Sequence, residues 1–405
     1  MDLLSPRSES ELADIVAESY AKDVPLTLLG RGTKAGWGRA VQPNAAVTLS
    51  ALSGISDYTP AELVLTAGAG TPLAEIRAAL SAERQHLAFE PIDLGPLFGH
   101  ARDQATIGGV LACNLSGSRR PFAGAARDYF LGFRGVNGRG DVFKAGGKVV
   151  KNVTGYDLPK LMAGSFGTLA ALTEVTLKVL PAPETSRSLV FQGLDVVTAN
   201  QMMITGLGST ADPAGAAFLP SAAIAAIGSP SSLLSGSSAT ILRLEGAAAS
   251  VAYRRQVLSE MFEREAVIID DAASIELWKA IGALEAFAGH HDRLVWLISV
   301  PPAAGANVIR RLEFALPEFQ YFMDWGGGRI WLSLPTTPED KEAHAGTIRS
   351  ALKEGGHASL IRAPDTHRIY DHVFSAEVPI DLLRRVRIAF DPKRIFNRGR
   401  LHSEL

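Results

Sequence analysis

The chain has 405 residues, of which 47% are hydrophobic and 20% charged, with a formal net charge of −2. That length exceeds one ordinary core and the composition is that of a folded globular protein, so two domains are expected. The balanced charge excludes a field that attracts nucleic acid, and the single cysteine, Cys113, excludes an internal disulfide or an iron–sulfur cluster held by this chain alone and suits a reducing cytoplasm.

The opening residues, MDLLSPRSESELADIV, lack a basic segment followed by an apolar one, so no signal peptide is expected. The most apolar window, Ala214 to Gly228, is short and broken by Pro220, so no membrane span is expected. Ser8-Glu9-Ser10-Glu11 reads as a capping box opening a helix, with Leu12, Ile15, Val16 and Tyr20 at helical spacing. Val24 to Leu29 reads as a buried strand that runs into Gly30-Arg31-Gly32-Thr33-Lys34-Ala35-Gly36-Trp37-Gly38. The spacing G-x-G-x-x-x-G, and a strand rather than a helix at Ala45 to Leu49, exclude a Rossmann fingerprint. Two readings of this loop remain: an anion-binding nest of exposed amides with Arg31, Thr33 and Lys34, or a glycine-rich hairpin turn with solvated cations.

Glu62 to Ala67 reads as a strand, and Thr71-Pro72 as the N-cap and first position of a helix burying Leu73, Ile76, Ala79 and Leu80. Leu87 to Phe89 reads as a strand, Glu90 to Asp103 as irregular, and Thr106 to Asn114 as the start of a short helix. Tyr129 to Val136 and Val142 to Ala145 form a strand pair across Asn137-Gly138-Arg139-Gly140; Leu158 to Met162 is a helical turn, and Glu174 to Val179 a strand with one polar face. Pro181-Ala182-Pro183-Glu184 marks a boundary. Beyond it strands are expected at Ser188–Phe191, Ala239–Leu244, Val267–Asp270, Leu294–Val300, Phe319–Trp325, Arg329–Leu334 and Ala358–Arg362. Helices are expected near Ala247–Arg264, Ala272–Phe287, Ala304–Leu316 and Glu339–Lys353. This mixture predicts an α+β domain with a largely antiparallel sheet. The Ala/Ser/Gly-rich run from Asp212 to Thr240 reads as a poorly ordered surface excursion, and Asp324-Trp325-Gly326-Gly327-Gly328 as a hairpin turn.

Glycines cluster between Gln104 and Pro181: Gly108-Gly109, Gly117, Gly124, Gly146-Gly147, Gly155, Gly164 and Gly167. Glycine lets backbone amides approach a ligand closely, which suits a large anionic cofactor lying across several loops; turns of any β-rich domain have a similar composition. The chain has no G-x-S-x-G, H-E-x-x-H or G-x-x-x-x-G-K-[ST] motif, and His290-His291 reads as a surface helix end rather than a metal site. Cys113, among Leu111, Ala112 and Leu115, reads as buried packing. Arg119, Arg120 and Arg127, with Lys151 and Tyr156, are either structural side chains or ligand contacts.

LLGRGTK, TIGGVLACNLSG, RRPFAGAARD, the long run from Lys148 to Pro181 and the terminal FDPKRIFNRGRL together resemble the FAD-binding proteins of the vanillyl-alcohol oxidase type. Within them the chain is most similar to FAD-binding subunits of bacterial glycolate oxidases. The resemblance implies an α+β, two-part FAD-binding fold: residues 1–184 as the FAD domain, 185–375 as an α+β cap, and 376–405 as a segment returning to the FAD domain. It implies that Gly30, Arg31, Gly32, Thr33 and Lys34 hold the pyrophosphate. Thr106, Ile107, Gly108 and Gly109 would lie along pyrophosphate and flavin, with Asn114 and Gly117 nearby, and Gly164, Gly167 and Thr168 would approach the adenosine half. The first loop lacks the histidine through which some relatives attach flavin, so non-covalent FAD is implied.

The resemblance further implies oxidation of a small 2-hydroxy acid, glycolate to glyoxylate, with hydride passing to the flavin while a base takes the hydroxyl proton. The histidine-rich motif of the catalytic relatives' second domain is not found, so the catalytic residues are unknown. Implied partners are a second, related flavin subunit and an iron–sulfur subunit, with the chain cytoplasmic or at the inner face of the membrane through them. Two alternatives stand beside this reading. One is a stand-alone flavin oxidoreductase holding the acid's carboxylate on Arg119 or Arg120, with Lys151 and Tyr156 nearby; the other is a non-redox assembly subunit.

Overall fold

The structure, a computed structural model, describes residues 2–41, 45–148, 155–227, 236–316, 318–336, 343–364, 374 and 379–403. The N-terminal region begins with β1 (Asp2–Leu4), α1 (Glu9–Lys22), β2 (Leu26–Leu29) and β3 (Ala45–Thr48). Ser8 caps α1 by accepting from the Glu11 amide, but the Glu11 carboxylate turns back to the amide of Arg7 instead of that of Ser8, so the expected reciprocal box is one residue out of register. Strand β3 lies between β1 and β2, parallel to both. The Gly30–Gly38 loop is therefore a crossover between parallel strands and not a hairpin turn. Leu12 and Val16 of α1, fully buried, pack with Leu26, Val47, Ile395 and Phe396.

Next come β4 (Ile55–Thr59), β5 (Val64–Gly68), α2 (Leu73–Ala82), β6 (Gln85–His86), α3 (Ile107–Ala112), α4 (Arg120–Ala123), β7 (Phe130–Asn137), β8 (Val142–Gly146), α5 (Leu158–Met162), β9 (Ala170–Lys178) and β10 (Leu180–Pro181). Five of these strands form an antiparallel sheet in the order β4-β5-β9-β7-β8. Two local expectations change. Pro72 is itself the N-cap of α2, because the Thr71 hydroxyl bonds the Gly68 carbonyl and accepts from the Gly54 amide. Leu87 to Phe89 is buried but forms no strand; the pairing stops at Gln85–His86, against β10.

The second region holds β11 (Thr185–Gln192), α6 (Val196–Leu207), β12 (Gly215–Leu219), α7 (Ser221–Ala226), β13 (Ala239–Gly246), α8 (Ala248–Phe262), β14 (Val267–Asp270), α9 (Asp271–Gly282), α10 (Glu285–Ala288), β15 (Leu294–Ser299), α11 (Gly305–Ala315), β16 (Gln320–Asp324), β17 (Arg329–Leu334), α12 (Ala343–Ser350) and β18 (His357–Arg362). The last helix, α13 (Ile380–Phe390), packs back on the N-terminal region, where Phe390 accepts from the Gly138 amide at 3.0 Å. The sheet is antiparallel throughout, in the order β14-β11-β13-β12-β16-β17-β15-β18. The Asp212–Thr240 excursion is overturned over its described residues: β12 sits inside this sheet with Ala216, Ala217, Phe218 and Leu219 buried. Its small side chains fit a crowded centre. The expected helix over Ala272–Phe287 breaks where Leu284 takes a left-handed φ of 53°.

Both faces of this sheet are covered, which explains strands with apolar residues on both sides. Leu189, Phe191, Leu242, Leu244 and Ile330 face α6, α8, α11 and α12. Val190, Ile241, Val295, Phe322 and Trp331 belong to a cluster that continues through α9 and α10 into Phe89, Leu94, Leu97 and Ile107 of the N-terminal region. The two regions thus share an apolar core. Among the described residues, no helix is long and apolar enough to cross a membrane.

Candidate functional site

A cleft enclosing about 770 Å³ of empty space, counting the part open to solvent, lies at the C-terminal ends of β2 and β3. It is lined by the Leu28–Ala35 crossover loop, Ala69, the α3 segment, the turn at Phe166–Gly167, Ala170–Leu172, and Asn397 and Arg400 of the C-terminal tail. Its size is that of a small-molecule or cofactor site. Among the described residues no protein acceptor takes the amides of Arg31, Gly32, Thr33 or Lys34. Gly32 makes this run possible with a left-handed φ of 74°, and a Cβ there would meet nothing within 4 Å. Successive unpaired amides of this kind form an anion-binding concavity.

Lys34 adds a cation. Its Nζ donates to Thr33 Oγ1 at 3.2 Å, and no carboxylate among the described residues lies at ion-pair distance. Burial lowers its pKa, with Cys113 and Asp93 pulling weakly the other way. A desolvated ammonium beside unpaired amides is suited to a phosphate-bearing ligand. Cys113 also lines the cleft and is half-buried, where the sequence suggested plain core packing; burial pushes its thiol up, with Lys34 and Arg400 opposing.

The cleft brings together Gly30, Arg31, Gly32, Thr33, Lys34, Thr106, Gly108, Gly109 and Gly167. Arg31 turns outward to Gln104 Oε1 at 2.9 Å. Thr106 caps α3 by accepting from the Gly109 amide, and a Cβ on Gly30 would stand 2.3 Å from its hydroxyl. Gly108 is required for a different reason from the expected one: a Cβ there would lie 2.7 Å from Ala69 Cβ, and its amide is spent on the Ala69 carbonyl at 2.8 Å.

The remaining expected contacts lie off the cleft. Ile107 is a core residue whose amide bonds the Thr71 carbonyl. Asn114 accepts from the Arg127 amide. Gly164 donates its amide to Leu111, and the buried Thr168 hydroxyl closes the turn onto Ser165. Gly117 packs under the Glu90 carbonyl and lines a second, polar cleft together with Asp93, Ser118 and Trp278.

The weaker substrate candidates are dispersed. Arg119 is 6% exposed and forms a buried ion pair with Glu245, with its Nε on the Ala88 carbonyl at 3.1 Å. Burial lowers it to about 10, with Glu90 opposing. Its guanidinium is thus engaged by the protein and does not line the cleft. Arg120 stacks on Trp325, 4.5 Å from the ring centroid. Tyr156 is 91% exposed, and Lys151 lies outside the described residues.

Arg119 and Arg120 belong to a seam between the two regions. Arg329 donates to the Ser116 carbonyl at 2.8 Å, Trp325 Nε1 to the Gly117 carbonyl at 2.9 Å, and Ser118 to Asp324 Oδ2 at 2.8 Å. The β16–β17 hairpin, expected as a turn, therefore grips the loop that follows α3. Asn397 and Arg400 were visible as part of the terminal motif but were not assigned to the site. The motif carries no sign of which loop it meets; Arg400 lies 366 residues after Lys34.

The architecture and cleft are those of an FAD-binding protein. Residues 3–146 match the family described as "FAD binding domain". The fold is shared with p-cresol methylhydroxylase, at a TM-score of 0.74 and 12% identity over 100% of this chain and 89% of that one. The glycolate oxidase subunit GlcE of Escherichia coli (strain K12) is 33% identical over 97% of both chains. The glycolate oxidase subunit GlcD of Bacillus subtilis (strain 168) is 24% identical over 99% of this chain and 89% of its own length. The chain belongs to the family of FAD-binding glycolate oxidase subunits, and its cofactor is FAD.

Proposed function

We propose that this protein is the FAD-binding subunit of a glycolate oxidase complex that converts glycolate to glyoxylate and passes the electrons to partner subunits. One observation carries the reading: the run of unpaired amides from Arg31 to Lys34, closed by a buried ammonium without a carboxylate partner among the described residues. That donor set fits a pyrophosphate, and Thr33, Lys34, Gly109 and Gly167 would hold the cofactor in the cleft. Residues 1–184 with 376–405 would make the FAD domain and 185–375 the cap.

FAD, when bound, supplies a two-electron acceptor for the hydride leaving C2 of a 2-hydroxy acid. The chain's own contribution is to bind the cofactor and to exclude water through the shared apolar core. Attachment would be non-covalent: the first loop has no histidine, and Cys113, the one thiol in the cleft, is held in its unreactive protonated form by burial. Among the described residues, the titratable side chains lining the cleft are Arg31, Lys34, Cys113 and Arg400, and no carboxylate or imidazole among them is placed to take the substrate's hydroxyl proton. This supports a division of labour, with the base on a second, related flavin subunit and the electrons leaving through an iron–sulfur subunit. Such a complex would sit in the cytoplasm or at the inner face of the membrane.

Stopped-flow mixing of the FAD-loaded isolated chain with glycolate tests this. Slow or absent bleaching, beside fast turnover of the assembled complex, is expected. Complete bleaching at the turnover rate would make this chain the catalytic one.

A further inference from the structure

The tail segment after α13 is folded on itself and against the cleft. Asp391, fully buried, accepts from the amides of Ile395 and Phe396, both at 2.8 Å. Lys393 reaches the Tyr20 carbonyl at 2.8 Å and Arg398 reaches Asp23 at 2.9 Å, fixing the turn to the end of α1. Two side chains then enter the cleft wall. Asn397 is 4% exposed; its Oδ1 accepts from the Leu28 amide at 2.9 Å and its Nδ2 donates to the Phe166 carbonyl at 2.7 Å. Its backbone amide bonds Leu26 at 2.9 Å. Arg400 donates through one Nη2 to the carbonyls of Lys34 and Ala35, at 3.0 and 3.1 Å.

The strand that carries the amide-rich loop and the turn that carries Gly167 touch the same carboxamide. One face of Asn397 needs an acceptor and the other a donor, which an amide supplies and a carboxylate does not. Arg400 braces the loop by its carbonyls and takes none of the amides of Arg31 to Lys34.

We propose that the Asp391–Arg400 tail is the latch of the FAD cleft, with Asn397 and Arg400 as positioning residues that act through the loop and the turn. The inference rests on the assignment of this cleft to FAD. Cofactor capture then has to follow the docking of a segment 366 to 369 residues downstream of the loop it braces.

The test uses the full chain stripped of flavin, with FAD itself as the probe. Wild type, Asn397→Asp and Arg400→Lys are titrated by flavin fluorescence across pH 5 to 8, and FAD release is followed in time. For Asn397→Asp an affinity loss of about 10- to 100-fold is expected at pH 8, where two oxygens face each other at Phe166. Most of it should appear as faster release. The loss, taken relative to wild type at the same pH, should shrink as pH falls, because the protonated carboxyl regains a donor. Arg400→Lys has a shorter side chain whose ammonium does not reach the position of Nη2 between the two carbonyls, and should release FAD several-fold faster.

Wild-type affinity in Asn397→Asp at pH 8, or a loss that does not recover in acid, overturns the latch. If Asn397→Asp does not fold, an unchanged release rate in Arg400→Lys does the same. A wild-type chain that takes up no FAD at all would instead overturn the cofactor assignment.

Discussion

Trp325 Nε1 donates to the carbonyl of Gly117 at 2.9 Å, across 208 residues of sequence. The same indole carries both Arg120 and Arg329, with centroid distances of 4.5 and 3.3 Å. The second region is thereby fastened to the loop after α3 by hydrogen bonds, beside an apolar cluster that runs through both regions. Such a seam suits a fixed roof better than a swinging lid.

Trp325→Phe keeps an aromatic ring beside the two guanidinium groups and leaves the Gly117 carbonyl without its donor. It should destabilise the protein by about 1–2 kcal/mol. Urea unfolding followed at once by tryptophan fluorescence and far-UV circular dichroism checks this. The shared core predicts coincident curves for both probes, shifted together by the substitution. Separate transitions for the two regions would contradict it.

His86 lies near Arg119, Glu90 and Arg243, and its pKa falls from 6.5 to about 4, first through burial and then through the two arginines, with Glu90 opposing. The sign follows from the proton count. Between these values the unfolded chain binds a proton that the folded chain refuses, so the contribution is present above pH 6.5 and is lost as pH falls toward 4. Discounted for partial exposure, it amounts to about 2 kcal/mol. His86→Gln should flatten the stability–pH curve in that window. An unchanged slope would contradict the burial argument.

Gly32 and Gly108 separate two uses of glycine. A Cβ at Gly108 would strike Ala69, so Gly108→Ala should cost the flavin-free chain about 1–3 kcal/mol through overpacking. Gly32 has open space around it but a φ of 74°, so Gly32→Ala should cost about 1–2 kcal/mol of backbone strain and act chiefly on FAD binding. Thermal melts of the flavin-free and FAD-loaded variants distinguish the two. Equal losses in both forms of Gly32→Ala would remove the loop from the site.

The glycine-rich loop, the short α3 helix and the antiparallel sheet of the second region were legible because each is written locally, in glycine spacing and in short apolar runs between helical patterns. What was not legible is set by distant partners. Arg119 stays open between a structural side chain and a substrate contact in the sequence because its counter-ion, Glu245, lies 126 residues away. Strand β12 looked like a surface excursion because its Ala- and Gly-rich composition is read as low complexity, while in the fold Gly215 has Trp278 only 3.3 Å from the position of a Cβ. Asn397 and Arg400 belonged to a visible motif, yet the two cleft walls they join are defined only once the chain has folded.

Lys34 predicts a pH dependence of cofactor binding. Burial lowers its pKa in the free chain, and an anion beside it would raise it again. Binding therefore takes up a proton, so affinity is full below the free-chain pKa and falls as pH rises through the pKa of the complex. Lys34→Met should bind about 10- to 100-fold more weakly and lose this dependence. Isothermal titration with FAD in buffers of different ionisation enthalpy measures the proton uptake directly. Equal uptake in the variant would assign it to another group.

The cleft between the Gly30–Lys34 loop and the C-terminal tail is predicted to hold FAD without a covalent bond. The measurement is the flavin content of the purified chain after acid precipitation, with the released species identified by chromatography. About one intact FAD per chain in the supernatant is predicted. A precipitate that stays yellow, or a chain without flavin that takes up none when FAD is added, would contradict the account.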